Sequence, residues 1–339
     1  MNILVDIGHP ADVHFFRHAV TGWNRSGHDV RITTRRMPVA MRLLDAYGFK
    51  YEIIGDKRRG MAGLGIELLE HTARLLLVMR RAKTQVCIST GGTFTVFAGA
   101  MVRCKRIVHT DTDTARTANR ITFPFASAIL TPQTYPSDLG RRHARYAGVK
   151  ELAYLHPRHF VPRADVPAKY GLSANKPFGI VRLISWEASH DIGVRRISAQ
   201  EKRNLVELLL RKGDVVLVPE GQPPAEFAHL CRDIAPEDFH DLLYHSAVCV
   251  TEGATTASEA AVMGISTLYV NPIRPCYTKA LADEGMLVLA GPGEHPVGAL
   301  DALLAREGGS AAARERAANF VSRSCDVTEF ITNFVEEFA

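Results

Sequence analysis

Long apolar runs are missing from this chain of 339 residues. A helix needs about 18 or more consecutive apolar residues to cross a bilayer, so no membrane-spanning helix is expected. The opening MNILVDIGHP enters a strand pattern at once and lacks the basic-then-apolar order of a secretory leader. Paired cysteines are missing too. Cys87, Cys104, Cys231, Cys249, Cys276 and Cys325 are scattered, with no CxxC. That excludes a zinc ribbon or a disulfide framework, suits a reducing cytoplasm, and marks most of the six as small core residues. No GK[ST] closes a Walker loop and no GxGxxG follows a strand. A recognition helix and a basic stripe laced with aromatics are likewise absent, so nucleic acid is not an expected partner. The histidines and acids show no metal-ligand spacing, and neither a metal nor another cofactor is expected.

What remains is an ordinary globular composition, 46% hydrophobic and 23% charged. At roughly 100–200 residues per domain the length suggests two domains. The net charge of +5 hides an asymmetry: residues 1–160 hold 24 Lys and Arg against 12 Asp and Glu, and the remainder is acidic. Either the basic half meets an anionic partner, or the two halves attract one another.

Short apolar strands alternate with helical patterns in the first half. The pattern predicts strands at 2–7, 28–33, 51–54, 85–89, 106–109 and 128–131. Helices are predicted at 12–26, 37–47, 64–82 and 93–102. Residues 156–177 break the rhythm with Pro157, Pro162, Pro167 and Pro177. Alternation then resumes, with strands at 178–183, 215–219, 248–251 and 267–270 and helices at 198–212 and 256–263. The expected organisation is an α/β N-terminal domain over 1–160, a linker over 161–177 and a second α/β domain over 178–325. A C-terminal helix over 326–339 follows, with Phe330, Phe334 and Phe338 at i, i+4 spacing, packing back on the first domain. In such doubly wound parallel sheets ligands sit at the carboxyl ends of the strands, so the loops there are the ones to weigh.

Five stretches carry candidate chemistry. Thr251–Glu259 runs from a strand into a helix through Gly253, Ala254, Thr255 and Thr256. Small residues let a phosphate approach free N–H groups at a helix N-terminus, and Glu259 beyond them can accept hydrogen bonds from a ribose diol. The alternative is a plain N-cap with a surface acid. Ser89-Thr90-Gly91-Gly92-Thr93 is a second backbone-rich turn, either a ligand loop or a simple βα turn. The first βα loop holds His9, Asp12 and His14; Asp12 can cap the helix and leave His14 as a base. His109-Thr110-Asp111-Thr112-Asp113 offers Asp111 as a carboxylate, or a capping series for the next helix. Arg182 and Ser185 follow a strand and can face a diphosphate, with Trp186 beside them. Separately, basic residues at 57–59 and 80–81 flank an apolar helix that can rest on an anionic membrane face, or simply face the core.

Ser89–Ala126 resembles the GGY…HEQN…NRLLA region of the lipid-linked N-acetylglucosaminyltransferase of peptidoglycan synthesis. Thr251–Leu268 resembles the SGG…EEA…G segment of UDP-N-acetylglucosamine 2-epimerases. Pro10-Ala11-Asp12-Val13-His14-Phe15-Phe16 matches the P..VHFF signature of a GT-B-like family of bacteria and archaea. The resemblance implies a GT-B-type architecture, two Rossmann-like doubly wound parallel-sheet domains facing across a cleft. It implies a nucleotide-sugar donor, UDP-linked, held by Gly253–Thr256 and Glu259; the reading of the residues adds Arg182 and Ser185, with Gly91 and Gly92 as further binding positions. The acceptor is a hydroxyl on an anionic or lipid-linked glycan, His14 is the base, and Asp111 falls where epimerases carry a catalytic Glu. The implied activity is metal-independent glycosyl transfer in surface polysaccharide or glycolipid synthesis, at the inner membrane face. The alternatives are a UDP-sugar 2-epimerase or hydrolase and a non-catalytic binder. The turn reads GATT where the epimerases have SGG, and Ser185–His190 stands where they have an HRREN-like loop.

Overall fold

The computed structural model describes residues 1–56, 60–173, 176–183, 196–219 and 221–338. The chain forms two units, Met1–His159 with Ser324–Ala339, and Phe160–Arg323.

The first unit is built on a seven-stranded parallel sheet: β1 (Asn2–Ile7), β2 (Asp29–Thr34), β3 (Tyr51–Ile53), β4 (Val86–Thr90), β5 (Lys105–His109), β6 (Ala128–Pro132) and β7 (His143–Tyr146). Their spatial order is β3-β2-β1-β4-β5-β6-β7. The order reverses direction between β1 and β4, which makes the loops after those strands the topological switch point. Strand β1 is buried along its length because it is central, and Leu4, Val5, Ile88 and Val108 fill the sheet's core. Strand β7 lies outside the sequence expectation. His-Ala-Arg-Tyr has no apolar run, and its place at the sheet edge leaves it only partly covered.

The second unit carries β8 (Phe178–Arg182), β9 (Asp214–Leu217), β10 (Val248–Thr251), β11 (Ser266–Tyr269) and β12 (Val288–Leu289), all parallel, in the order β12-β11-β10-β8-β9. Its switch point falls between β8 and β10. The proline-bearing stretch 161–177 packs within this unit. It forms the helix Val166–Lys169, and Arg163 pairs with Asp238 and Asp241 at 2.6 and 2.7 Å. Strand β12 has only two residues, too short for a periodicity signal. Phe330, Phe334 and Phe338 do stack in the helix Val327–Phe338, at ring separations of 6.1 and 5.4 Å. Three of the six cysteines are buried, Cys87, Cys104 and Cys249, and the others are partly exposed. No helix among the described residues is long and apolar enough to cross a membrane.

Candidate functional site

At the switch point of the second unit the last residues of β8 and β10 lie side by side, with Arg182 in register with Thr251. Backbone pairing extends past the strands: the Glu252 N–H donates to the Arg182 carbonyl at 3.0 Å. The chain then turns at Gly253, whose N–H donates to Thr251 Oγ1 at 2.9 Å, and the helix Ala254–Val262 begins without a side-chain cap. Gly253, Ala254 and Thr255 are partly exposed, whereas Thr256 is buried. The first turn of this helix therefore presents backbone N–H groups beside small side chains, the arrangement that receives a phosphate. Arg182 Nη1 donates to Thr256 Oγ1 at 3.2 Å, and its guanidinium lies 5.3 Å from the Phe239 ring centre. A cation is thus held beside the helix start, both by a hydroxyl and by an aromatic face. Ser185, the other residue expected there, lies outside the described residues, as do Trp186 and the rest of Ser185–His190.

Glu259 is not a surface acid. It is 4% exposed, and its Oε1 lies 2.9 Å from His240 Nε2. His240 has no counterpart in the sequence reading, because it reaches Glu259 from a separate short helix, Phe239–His245. A second buried pair lies under the turn: Lys202 Nζ sits 2.9 Å from Glu252 Oε2, both residues almost wholly enclosed. The Glu252 carbonyl also accepts from Asn271 Nδ2 at 2.8 Å. Cys249, within β10, is no nucleophile here. Burial, with the Glu259 carboxylate nearby, pushes its thiol up to about 12, so it stays protonated.

The switch point of the first unit gathers a different set. Gly91 and Gly92 both have positive φ, 75° and 70°. A Cβ at Gly92 would sit 2.6 Å from Val108 Cγ2, so only glycine lets this turn lie flat on the sheet. Asp111, just beyond β5, is buried and bound by Lys150 Nζ at 2.8 Å and by the Thr112 hydroxyl at 2.9 Å. Burial alone would push its carboxyl up. The Lys150 ammonium, His109 and the hydrogen bonds outweigh that, and the group is held below its ordinary range. Lys150, also acting on Asp12, was invisible in the sequence, where nothing around it carries a motif.

His14 lies in the helix that the sequence pattern predicts, which starts at Pro10 and not at Asp12. The helix Pro10–Arg25 starts at His9, whose Nδ1 accepts the Ala11 N–H, while Asp12 Oδ2 reaches back to the N–H groups of Gly8 and His9 at 3.0 and 2.9 Å. His14 therefore lies inside the helix. Its ring is buried against Tyr47 and Tyr154, with Nδ1 3.1 Å from the Tyr47 hydroxyl. His14 thus lies against tyrosines, and Asp111 against Lys150 and Thr112.

Asp6, next to last in β1 and in register with Ser89 of β4, accepts from Thr33 Oγ1 at 2.7 Å. Burial pushes its carboxyl from 3.8 to about 6, against the pull of Thr33 and Arg35. An acid whose folded pKa is raised stabilises the fold fully below its unfolded pKa, and that contribution is lost as pH rises through the folded one. The window here is about pH 4 to about pH 6, and the penalty above it is about 3 kcal/mol. Asp6→Asn is expected to be more stable than wild type at neutral pH and equal to it near pH 4. Urea midpoints across that range test this; parallel curves for the two proteins would refute it.

The profile of a family described as a protein of unknown function (DUF354) matches residues 1–290. An uncharacterized protein of Methanocaldococcus jannaschii is 22% identical over 285 residues, covering 80% of this chain and 82% of that one. Among solved structures, Staphylococcus aureus MnaA with UDP superposes at a TM-score of 0.70, with 13% identity, over 99% of this chain and 96% of that one. The UDP-GlcNAc 2-epimerase of Neisseria meningitidis bound to UDP-GlcNAc gives 0.69, 10% identity and coverage of 99% and 100%. The glycosyltransferase VinC with dTDP gives 0.66, 13% identity and 99% of each chain. At these identities the likeness shows the fold, a GT-B-type pair of doubly wound units.

Proposed function

We propose that this chain, which belongs to the DUF354 family of proteins of unknown function, is a glycosyltransferase of GT-B type that uses a nucleoside-diphosphate sugar, UDP-linked, as donor. The observation that carries the reading is the β8–β10 switch point, where Arg182 and the open start of the Ala254–Val262 helix meet. Solved structures of the same fold hold UDP, UDP-GlcNAc and dTDP. In this reading the diphosphate lies against Gly253–Thr256 and Arg182, whose charge stabilises the leaving group without a metal. Glu259 takes the ribose hydroxyls once they displace part of its contact with His240. The first unit is assigned the acceptor. An acceptor oxygen bonds to the anomeric carbon, the bond from that carbon to the diphosphate breaks with its electron pair, and the hydroxyl proton passes to His14. Asp111 is the poorer base, because Lys150 and Thr112 already hold its charge. Surface polysaccharide or glycolipid synthesis is the setting in which such an acceptor arises.

A UDP-sugar 2-epimerase or hydrolase is the second reading, favoured by the fit to the N. meningitidis epimerase. Dependence of nucleotide release on an added acceptor separates the two. Calorimetric titration with UDP, GDP, ADP, dTDP and CMP tests the site itself. One nucleoside diphosphate is expected to bind selectively, and Glu259→Gln to weaken it by roughly tenfold or more at an unchanged melting temperature. A folded wild-type protein that binds none of the five would remove the proposal.

A further inference from the structure

The helix Gly60–Arg81 has an inner face that belongs to the core and an outer face that does not. Leu75, Val78 and Met79 pack with Leu4, Cys87 and Ala98. Ile66, Leu69, Ala73 and Leu77 follow at i, i+3, i+7 and i+11, which places them in one stripe along the opposite side. That stripe is open: Leu69 is 75% exposed, Leu77 65% and Ile66 52%. Scattered exposed aliphatics need no explanation, but a row of them along one helix does. Met101, 61% exposed, stands on the neighbouring helix Thr95–Val102.

The charges around the stripe are positive. Arg80 lies at its end, Arg74 and Arg81 flank it, and Lys83 and Arg103 follow the two helices, all five exposed. Two acids stand on this side, Glu70 matched by Arg74 at 2.7 Å and Glu52 matched by Arg81, which leaves Arg80, Lys83 and Arg103 as the excess. Over residues 1–160 cations outnumber acids 24 to 12. A second copy of this chain would set the same positive excess against itself. An anionic bilayer answers both features at once, since lipid tails cover the aliphatic row while headgroups neutralise the positive charge that Glu52 and Glu70 leave over.

We propose that the outer face of the Gly60–Arg81 helix seats the first unit on an anionic lipid surface, through Ile66, Leu69 and Leu77 with Arg74, Arg80 and Arg81. The helix lies flat, because its other side is committed to the core, so the contact is shallow and reversible. The inference is independent of the donor site. Nucleotide binding and vesicle binding can fail separately.

The test is sedimentation of the full chain with vesicles of phosphatidylcholine alone and of phosphatidylcholine containing about one-third phosphatidylglycerol. Wild type is expected to bind the anionic vesicles at physiological salt and the neutral ones at least about tenfold less. Leu69→Gln with Leu77→Gln leaves the charge unchanged at exposed positions and is expected to weaken the anionic binding about tenfold, with an unaltered circular-dichroism melt. Arg80→Gln with Arg81→Gln is expected to weaken it similarly and to flatten its salt dependence. Absence of binding to the anionic vesicles overturns the proposal. So does binding that the leucine pair does not affect. A concentration-dependent dimer that the leucine pair abolishes, without vesicle binding, would assign the face to self-association instead.

Discussion

Replacing Lys202 by methionine is expected to lower the melting temperature of the second unit by roughly 10 °C. The side chain is almost wholly buried, and its ammonium lies 2.9 Å from Glu252 Oε2. Removing one member of a buried ion pair leaves the other charged in a low-dielectric interior, which costs about 3–5 kcal/mol. At about 2–4 °C per kcal/mol for a unit of this size, the shift is large. Lys202→Met combined with Glu252→Gln is expected to recover most of the loss, because the stranded charge is gone and the methionine fills the ammonium's channel. The consequence reaches the site. Glu252 precedes Gly253, its N–H is tied to Arg182 and its carbonyl to Asn271. The pair therefore holds the turn against the sheet. Thermal melts of the two single variants and the double variant decide it; additive losses in the double would mean that the two groups do not interact.

The largest expected effect on binding comes from Arg182→Ala, about a hundredfold weaker affinity for the nucleoside diphosphate that wild type selects. A hydrogen bond between a charged group and its partner contributes about 1.5–3 kcal/mol, and about 1.4 kcal/mol is tenfold in affinity. Arg182 is only partly buried and lies at a strand end, so the melting temperature is expected to move little. Arg182→Lys should recover only part of the affinity, since an ammonium keeps the charge but loses the fork that can bond two oxygens at once. The loss should shrink at high salt, as an electrostatic contact does. Equal affinities for wild type and Arg182→Ala would place the diphosphate elsewhere.

Much of the fold was legible because its signals are local. Strand β1 carries the apolar run Ile3-Leu4-Val5, and the helix after it opens with Pro10 and the reach-back of Asp12. The Thr251–Glu259 stretch likewise announced a strand, a turn and a helix start, and the structure has all three. His143–Tyr146 and Val288–Leu289 went unread because an edge strand and a two-residue strand carry no periodicity. The helix expected from Asp12 starts two residues earlier, at Pro10, because His9 caps it, and His14 lies within it.

The sequence by itself determined where strands and helices alternate, since hydrophobic runs, caps and prolines act within a few residues of chain. It determined also that a row of small residues would open the Ala254–Val262 helix. Only the tertiary structure decided the strand order, and with it the two switch points where neighbouring connections run in opposite directions. It also decided that Glu259 is buried on His240, 19 residues away, and that Glu252 is matched by Lys202 at a distance of 50. Buried contacts of this kind depend on which helix the sheet brings overhead. A charged residue is drawn to its partner through space, and nothing in the neighbouring sequence records which partner that will be.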